Sequence, residues 1–111
     1  MSLNELLQSL QEEYLDELPS RIDGIKIHFI NKDIQALTED FHKLKGTGRT
    51  YGIPEISDLG ERMEQLLLSC PAVGFSQVNQ ALDLLAEIHH TRTSGAPFEI
   101  ALDARFHHGG A

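Results

Sequence analysis

Cysteine and basic charge are both scarce in this sequence, and each shortage excludes a class of protein. Cys70 is the one cysteine among 111 residues, so no disulfide framework forms within the chain. The core must come from apolar packing, and a single domain of this length buries roughly two-thirds of the surface its unfolded chain exposes. Nine Lys and Arg stand against 17 Asp and Glu, a formal charge of −8. Non-specific binding to nucleic acid or to an anionic membrane needs a Lys/Arg field, which this balance denies, so neither is expected as a partner. Apolar runs extend over only a few residues, and no basic stretch followed by an apolar one opens the chain. Neither a membrane span nor a signal peptide is therefore expected, and the expected location is cytoplasmic. No glycine-rich nucleotide loop of the P-loop or Rossmann type is present either.

What is present is helical periodicity. Leu3, Leu6, Leu7, Leu10, Tyr14 and Leu18 recur at three- and four-residue spacing, the mark of one apolar helix face. Leu18, Ile22, Ile25 and Phe29 continue beyond Pro19, so this region is two helices or one helix bent at the proline. Asn31, Lys32 and Asp33 read as a turn. A stripe of Ile34, Leu37, Phe41, Leu44, Gly48 and Tyr51 follows, with Asp33 as N-cap and Gly52 suited to a left-handed cap. Pro54 suits a first helical turn, ahead of Ile56, Leu59, Met63, Leu66 and Leu67. After a loop over residues 70–74, Val78, Leu82, Leu85 and Ile88 mark a last helix, with Arg92 near its end. The expected fold is all-α: an up-down four-helix bundle with helices at about residues 33–51, 54–69 and 75–93, an additional N-terminal helix, and a non-helical C-terminal tail. Residues 1–93 form the bundle in this reading and residues 94–111 the tail. Phe98, Ile100 and Leu102 alternate with Glu99, Ala101 and Asp103, a strand-like period with no second strand to pair with, so a docked extended tail or disorder is expected there.

On the third stripe, about 100° per residue turns His42, Lys45, Gly46 and Arg49 away from the apolar side. Lys45 and Gly46 are the i+3 and i+4 neighbours that touch His42 on a helix surface. A glycine inside a helix costs about 1 kcal/mol relative to alanine, so Gly46 and Gly48 each imply another constraint. Gly48 falls on the apolar face and suits a close helix approach. Gly46 either serves packing too or leaves the imidazole uncovered for a bulky partner.

The run His42-Lys43-Leu44-Lys45-Gly46-Thr47-Gly48-Arg49-Thr50-Tyr51-Gly52 resembles the phosphoacceptor motif of histidine-containing phosphotransfer (HPt) domains: a His-x-Leu-Lys-Gly core, small residues next, and a further glycine ten positions after the histidine. Ile53-Pro54-Glu55-Ile56-Ser57-Asp58-Leu59 resembles the start of the family's next helix. Thr47 and Gly48 stand where serine or alanine is common, and nothing in the family accounts for the segment after Pro97. The resemblance implies that His42 accepts a phosphoryl group from the aspartyl phosphate of a response regulator receiver domain and passes it to another receiver's aspartate. A sensor histidine kinase is the other implied partner. The chain is then a phosphocarrier rather than an independent enzyme; it has no cofactor of its own, and magnesium is expected on the partner receiver. The chemistry agrees with this: a free imidazole has a reference pKa of about 6.5, so a neutral nucleophilic nitrogen is available near neutral pH. Lys45 offsets charge on the phosphoryl oxygens, and Gly46 and Arg49 face the partner. The other reading of this surface is a helical docking module for a receiver that carries no phosphate.

If the third and fourth stripes form an antiparallel hairpin about Gly52 and Ile53, Glu64 lies near the level of His42. A carboxylate there either orients the imidazole by accepting its ring proton or is an ordinary solvated glutamate; a glutamate occupies the similar position in phosphotransfer modules of chemotaxis kinases. His89, His90, His107 and His108 lack metal-ligand spacing and read as surface residues. His28 suits the C-terminal end of its helix. Cys70 reads as a packed or loop thiol. Residues 41–54 contain no acidic residue but hold His42, Lys43, Lys45 and Arg49, a basic island inside an acidic chain.

Overall fold

The computed structural model describes residues 2–94. Four helices occupy nearly all of them: α1 at Leu3–Ile30, α2 at Ile34–Gly48, α3 at Pro54–Ser69 and α4 at Pro71–Ser94. No strand occurs among the described residues. The helix starts follow from local chemistry. The Ser2 hydroxyl accepts the Glu5 N–H at 3.1 Å and the Asp33 carboxylate accepts the Ala36 N–H at 3.0 Å, each satisfying a donor that the first helical turn leaves free. Pro54 opens α3, where a missing N–H does no harm. Gly52, at φ +79°, supplies the left-handed residue of the α2–α3 turn.

Successive helices run antiparallel. Tyr14 and His28 of α1 meet Thr47 and Asp40 of α2, Glu55 of α3 meets Arg92 of α4, and Phe29 stacks on Phe75 with ring centroids 4.7 Å apart. This is an up-down four-helix bundle. Leu18, Leu37, Phe41, Ile56, Leu85 and Ile88 are wholly buried at its centre, each contributing about 1.5–3 kcal/mol from burial.

Three boundaries differ from the sequence reading. The two N-terminal stripes are one 28-residue helix, with no additional N-terminal helix before the bundle. Pro19 sits on its exposed face, and the roughly 3 kcal/mol that an interior proline costs is outweighed by Tyr14, Leu15, Leu18, Ile22 and Ile25, buried on either side of it. The expected loop over residues 70–74 shrinks to Cys70, because Pro71 starts α4 and Gly74 already belongs to it. A Cβ on Gly74 would stand 2.8 Å from the Leu67 backbone nitrogen, so this glycine serves helix contact rather than a loop. Helix α2 ends at Gly48, and residues 49–52 form the turn. Of the tail expected over residues 94–111, Ser94 belongs to α4 and the rest lies outside the described residues.

Polar links tie the helix ends together. Glu55, almost fully buried, accepts two hydrogen bonds from the Arg92 guanidinium, both at 2.7 Å; this hydrogen bonding raises the Arg92 pKa further above its ordinary value. The Tyr14 hydroxyl donates to the Thr47 oxygen at 2.9 Å, and Thr47 in turn donates to the Lys43 carbonyl. Burial pushes the Tyr14 phenol above its ordinary range, an effect partly offset by the Thr47 hydrogen bond. A raised folded-state value means that the neutral phenol's contribution is complete below an unfolded value of about 10 and is lost as pH climbs through the folded value. Thermal melts should therefore fall above about pH 10, and Tyr14→Phe should reduce that alkaline slope while lowering stability at neutral pH by about 1 kcal/mol for the lost hydrogen bond.

Candidate functional site

Phe41 and Leu44 point into the core and anchor the C-terminal half of α2. The same rotation turns His42 outward, with its side chain 68% exposed. From α3, the Glu64 carboxylate, only 11% exposed, reaches the imidazole: Oε2 lies 2.5 Å from His42 Nδ1. The other Glu64 oxygen, Oε1, accepts from Lys45 Nζ at 3.4 Å. Glu64 thus links His42 and Lys45. An ionised carboxylate only accepts hydrogen bonds, so a neutral imidazole in this contact carries its proton on Nδ1 and keeps the lone pair on Nε2.

The register behind this contact is set by two glycines. A Cβ on Gly60 of α3 would stand 2.5 Å from the Lys45 nitrogen and 2.6 Å from the Phe41 carbonyl oxygen; a Cβ on Gly48 of α2 would stand 2.6 Å from the Ser57 nitrogen. Backbone meets backbone at both places. Between them, the buried Ser57 hydroxyl donates to the Lys45 carbonyl at 2.8 Å and accepts the Arg49 N–H at 2.5 Å. The end of α2 is therefore fastened to the start of α3.

Gly46 has a different environment. A Cβ there would meet nothing within 4 Å, so packing among the described residues gives no reason for a glycine one turn from His42. Arg49 does not join the cluster: its guanidinium donates to Asp58 at 2.9 Å on the exposed surface. The basic island is also less basic in space than along the chain. Glu64 and Asp58 come from α3 to pair with Lys45 and Arg49, and Asp40 precedes the island on α2 and pairs with His28 across the helix interface at 2.6 Å.

Sequence reasoning placed Glu64 at this level through hairpin arithmetic. It missed Ser57 and Gly60, and it gave His28 only a role at a helix end. An Asp at a two-residue offset from His42 carries no signal of a cross-helix pair; a small residue three positions from another on the apolar face of α3, as Ser57 and Gly60 are, is the signal that a close approach leaves. His89 and His90 lie on α4, while His107 and His108 lie outside the described residues. Among the described residues, no group of three or more His, Cys, Asp or Glu is arranged to hold a metal ion. Cys70 is an exposed loop thiol. No described helix is long and apolar enough to cross a membrane.

The family model for the Hpt domain matches residues 9–93, which includes most of α1, all of α2 and α3, and all but the last residue of α4. No curated protein and no solved structure matches the chain. Hpt domains are phosphotransfer modules of two-component signalling that interact with receiver domains and kinases. With its antiparallel helical bundle and an exposed histidine backed by a carboxylate, the chain belongs to the Hpt domain family.

Proposed function

We propose that His42 is the phosphoacceptor of a relay in which a receiver domain's aspartyl phosphate donates to Nε2, and a second receiver's aspartate later takes the group away. The observation that carries this reading is the His42 Nδ1 contact to Glu64 on a side chain that is otherwise exposed; a neutral imidazole held by Nδ1 offers Nε2 as the nucleophile. In the forward step the Nε2 lone pair forms the P–N bond as the P–O bond to the aspartate breaks, and the bonding electrons leave with the carboxylate. Such transition states are loose, so positioning and charge stabilisation do most of the work. The imidazole gains positive charge as the P–N bond forms, and the Glu64 carboxylate stands against the nitrogen that bears the proton. Glu64 is a positioning residue in this scheme. Lys45 supplies positive charge to the phosphoryl oxygens, its 3.4 Å contact with Glu64 being long enough to exchange readily. Magnesium belongs to the receiver's acidic pocket in this reading, and this chain brings no cofactor.

Gly46 keeps the approach to the ring clear. Gly46→Leu should raise the melting temperature, since leucine is the better helix former by several tenths of a kcal/mol up to ~1 and a Cβ at this position meets nothing within 4 Å. The same variant should slow transfer from a phosphorylated receiver yet leave phosphorylation by phosphoramidate, a small donor, unchanged. Equal slowing with both donors would place the defect in the imidazole rather than in docking. Glu64→Gln should keep the fold and slow transfer by about tenfold or more. The ring ¹⁵N shifts of His42 should move at the same time from a pure Nδ1–H tautomer toward a mixture, which a purely structural role for Glu64 does not predict.

The test of the function itself is incubation with a phosphorylated receiver domain. An acid-labile, base-stable phosphate should appear on this chain while the receiver loses its own. Binding without label would instead favour the phosphate-free docking module.

A further inference from the structure

Two helical glycines, Gly24 and Gly46, stand where a Cβ would meet nothing within 4 Å. Gly48, Gly60 and Gly74 are accounted for by backbone atoms that a Cβ would touch at 2.6, 2.5 and 2.8 Å. Gly24 has no such neighbour, yet it interrupts the 28-residue α1, where any residue of ordinary helix propensity would serve the helix better. A residue that breaks a local rule with no gain among the described residues points to a contact made outside them.

Gly24 borders a groove of about 190 Å³ between α1 and α2, with Arg21 and Ile25 on one wall and Asp40, Lys43 and Leu44 on the other. The groove adjoins His42. Asp40 lies two residues before it and Lys43 directly after it, and the 2.6 Å hydrogen bond between Asp40 and His28 sets the register of the two antiparallel helices. His42 therefore comes level with α1 within about one turn of Gly24. Around α2, at about 100° per residue, Gly46 lies between His42 and Lys43. Neighbouring helix axes stand about 8–10 Å apart, and a standard interface of ~800 Å² per partner reaches roughly 16 Å from its centre. A receiver seated on His42 thus covers the groove as well.

The charges of the groove are unevenly satisfied. Asp40 is bonded to His28, and the ion pair of Arg21 is a long one, 3.5 Å to the exposed Glu17. The exposed Lys43 side chain has no hydrogen bond or ion pair among the described residues. From the open glycines, the position beside His42 and this free cation, we infer that the α1–α2 groove is the part of the docking seat that selects the receiver. The partner's backbone closes on Gly24, and one of its carboxylate side chains is held between Arg21 and Lys43. These residues act on recognition and not on the phosphoryl group. The identity of the partner rests on the phosphotransfer reading; the groove itself does not.

The test takes the tightest wild-type binder from a panel of receiver domains and measures it against Gly24→Gln, Lys43→Gln and Ala86→Gln, the last on the exposed face of α4. Phosphoramidate serves as a small donor that needs no docking. Gly24→Gln should melt at a higher temperature, bind the receiver about tenfold more weakly, and still be labelled by phosphoramidate at the wild-type rate. Lys43→Gln should act mainly on the association rate and flatten its salt dependence. Ala86→Gln should match the wild type throughout. Undiminished receiver binding by Gly24→Gln, or an equal loss in Ala86→Gln, would overturn the inference while leaving phosphotransfer intact. A wild-type dimer that Gly24→Gln disperses would also overturn it, since a second copy would then fill the groove. Receiver binding that depends on Gly24, with no phosphate reaching wild-type His42 from either donor, would instead uphold the groove and remove the phosphotransfer reading.

Discussion

His42→Gln is expected to abolish acid-labile phosphate on this chain while leaving the bundle folded. Glutamine is the informative substitution because its amide can still donate to the Glu64 carboxylate, which is otherwise nearly buried with Lys45 as its other partner. A hydrophobic replacement would leave that carboxylate with a poorer environment and mix a stability loss into the result. The amide nitrogen, its lone pair delocalised into the carbonyl, cannot act as the nucleophile. Since the side chain is 68% exposed, the cost in stability should stay within about 1 kcal/mol. Circular dichroism and a thermal melt check the fold, and transfer from a labelled receiver checks the chemistry. Label retained at the wild-type level in His42→Gln would remove His42 from the relay.

Gly60→Ala should be the most damaging single-methyl change among the described residues at this site. Intrinsic propensity favours alanine in a helix by about 1 kcal/mol, so a glycine with open space around it gains from the change. Gly60 lacks that space: its new Cβ would press on the Lys45 nitrogen and the Phe41 carbonyl oxygen, both backbone atoms that no rotamer change can move. The α2–α3 pair must separate, and overpacking of this kind costs about 1–3 kcal/mol or more. Separation also draws Glu64 away from His42, so transfer should slow even under conditions where the variant is folded. Gly46→Ala is the matched control, expected to gain stability where Gly60→Ala loses it. Chemical denaturation of the two variants gives opposite signs if the contact distances govern the outcome.

These two glycines also show where sequence reading works and where it stops. Both break an otherwise helical pattern, and the pattern alone says only that something beyond propensity acts on them. Gly46 stands beside a histidine in a recognisable motif, which is what suggests a role near that ring. Gly60 stands in no motif, and what requires it is the backbone of another helix, which local sequence does not encode. The helices themselves were legible because burial imposes a 3.6-residue period on Leu37, Phe41 and Leu44, or on Ile56, Leu59 and Met63. Pro54 was rightly read as opening α3, but the boundaries at Pro19 and Pro71 were not legible. Pro19 was a reason to break α1, yet the buried residues on both sides outweigh it; Pro71 and Gly74 looked like a loop, yet one opens α4 and the other lets it pack on Leu67.

Charge told a similar story. The absence of acidic residues over residues 41–54 is a fact of the chain, but Glu64 and Asp58 enter the same region from α3. Glu64 could be placed because an antiparallel hairpin turns sequence distance into height. The Glu55–Arg92 and His28–Asp40 pairs could not, since they depend on how separate helix pairs are rotated against one another.

The site of the phosphoryl group can be read directly by heteronuclear NMR on ¹⁵N-labelled protein after transfer from a phosphorylated receiver. With Glu64 holding the Nδ1 proton, the phosphorus should couple to Nε2 of His42 alone, and the Nδ1–H signal should persist. Phosphorus on Nδ1 of His42, or on another side chain such as His28 or His90, would contradict the assignment of Nε2 as the acceptor and of Glu64 as the group that orients it.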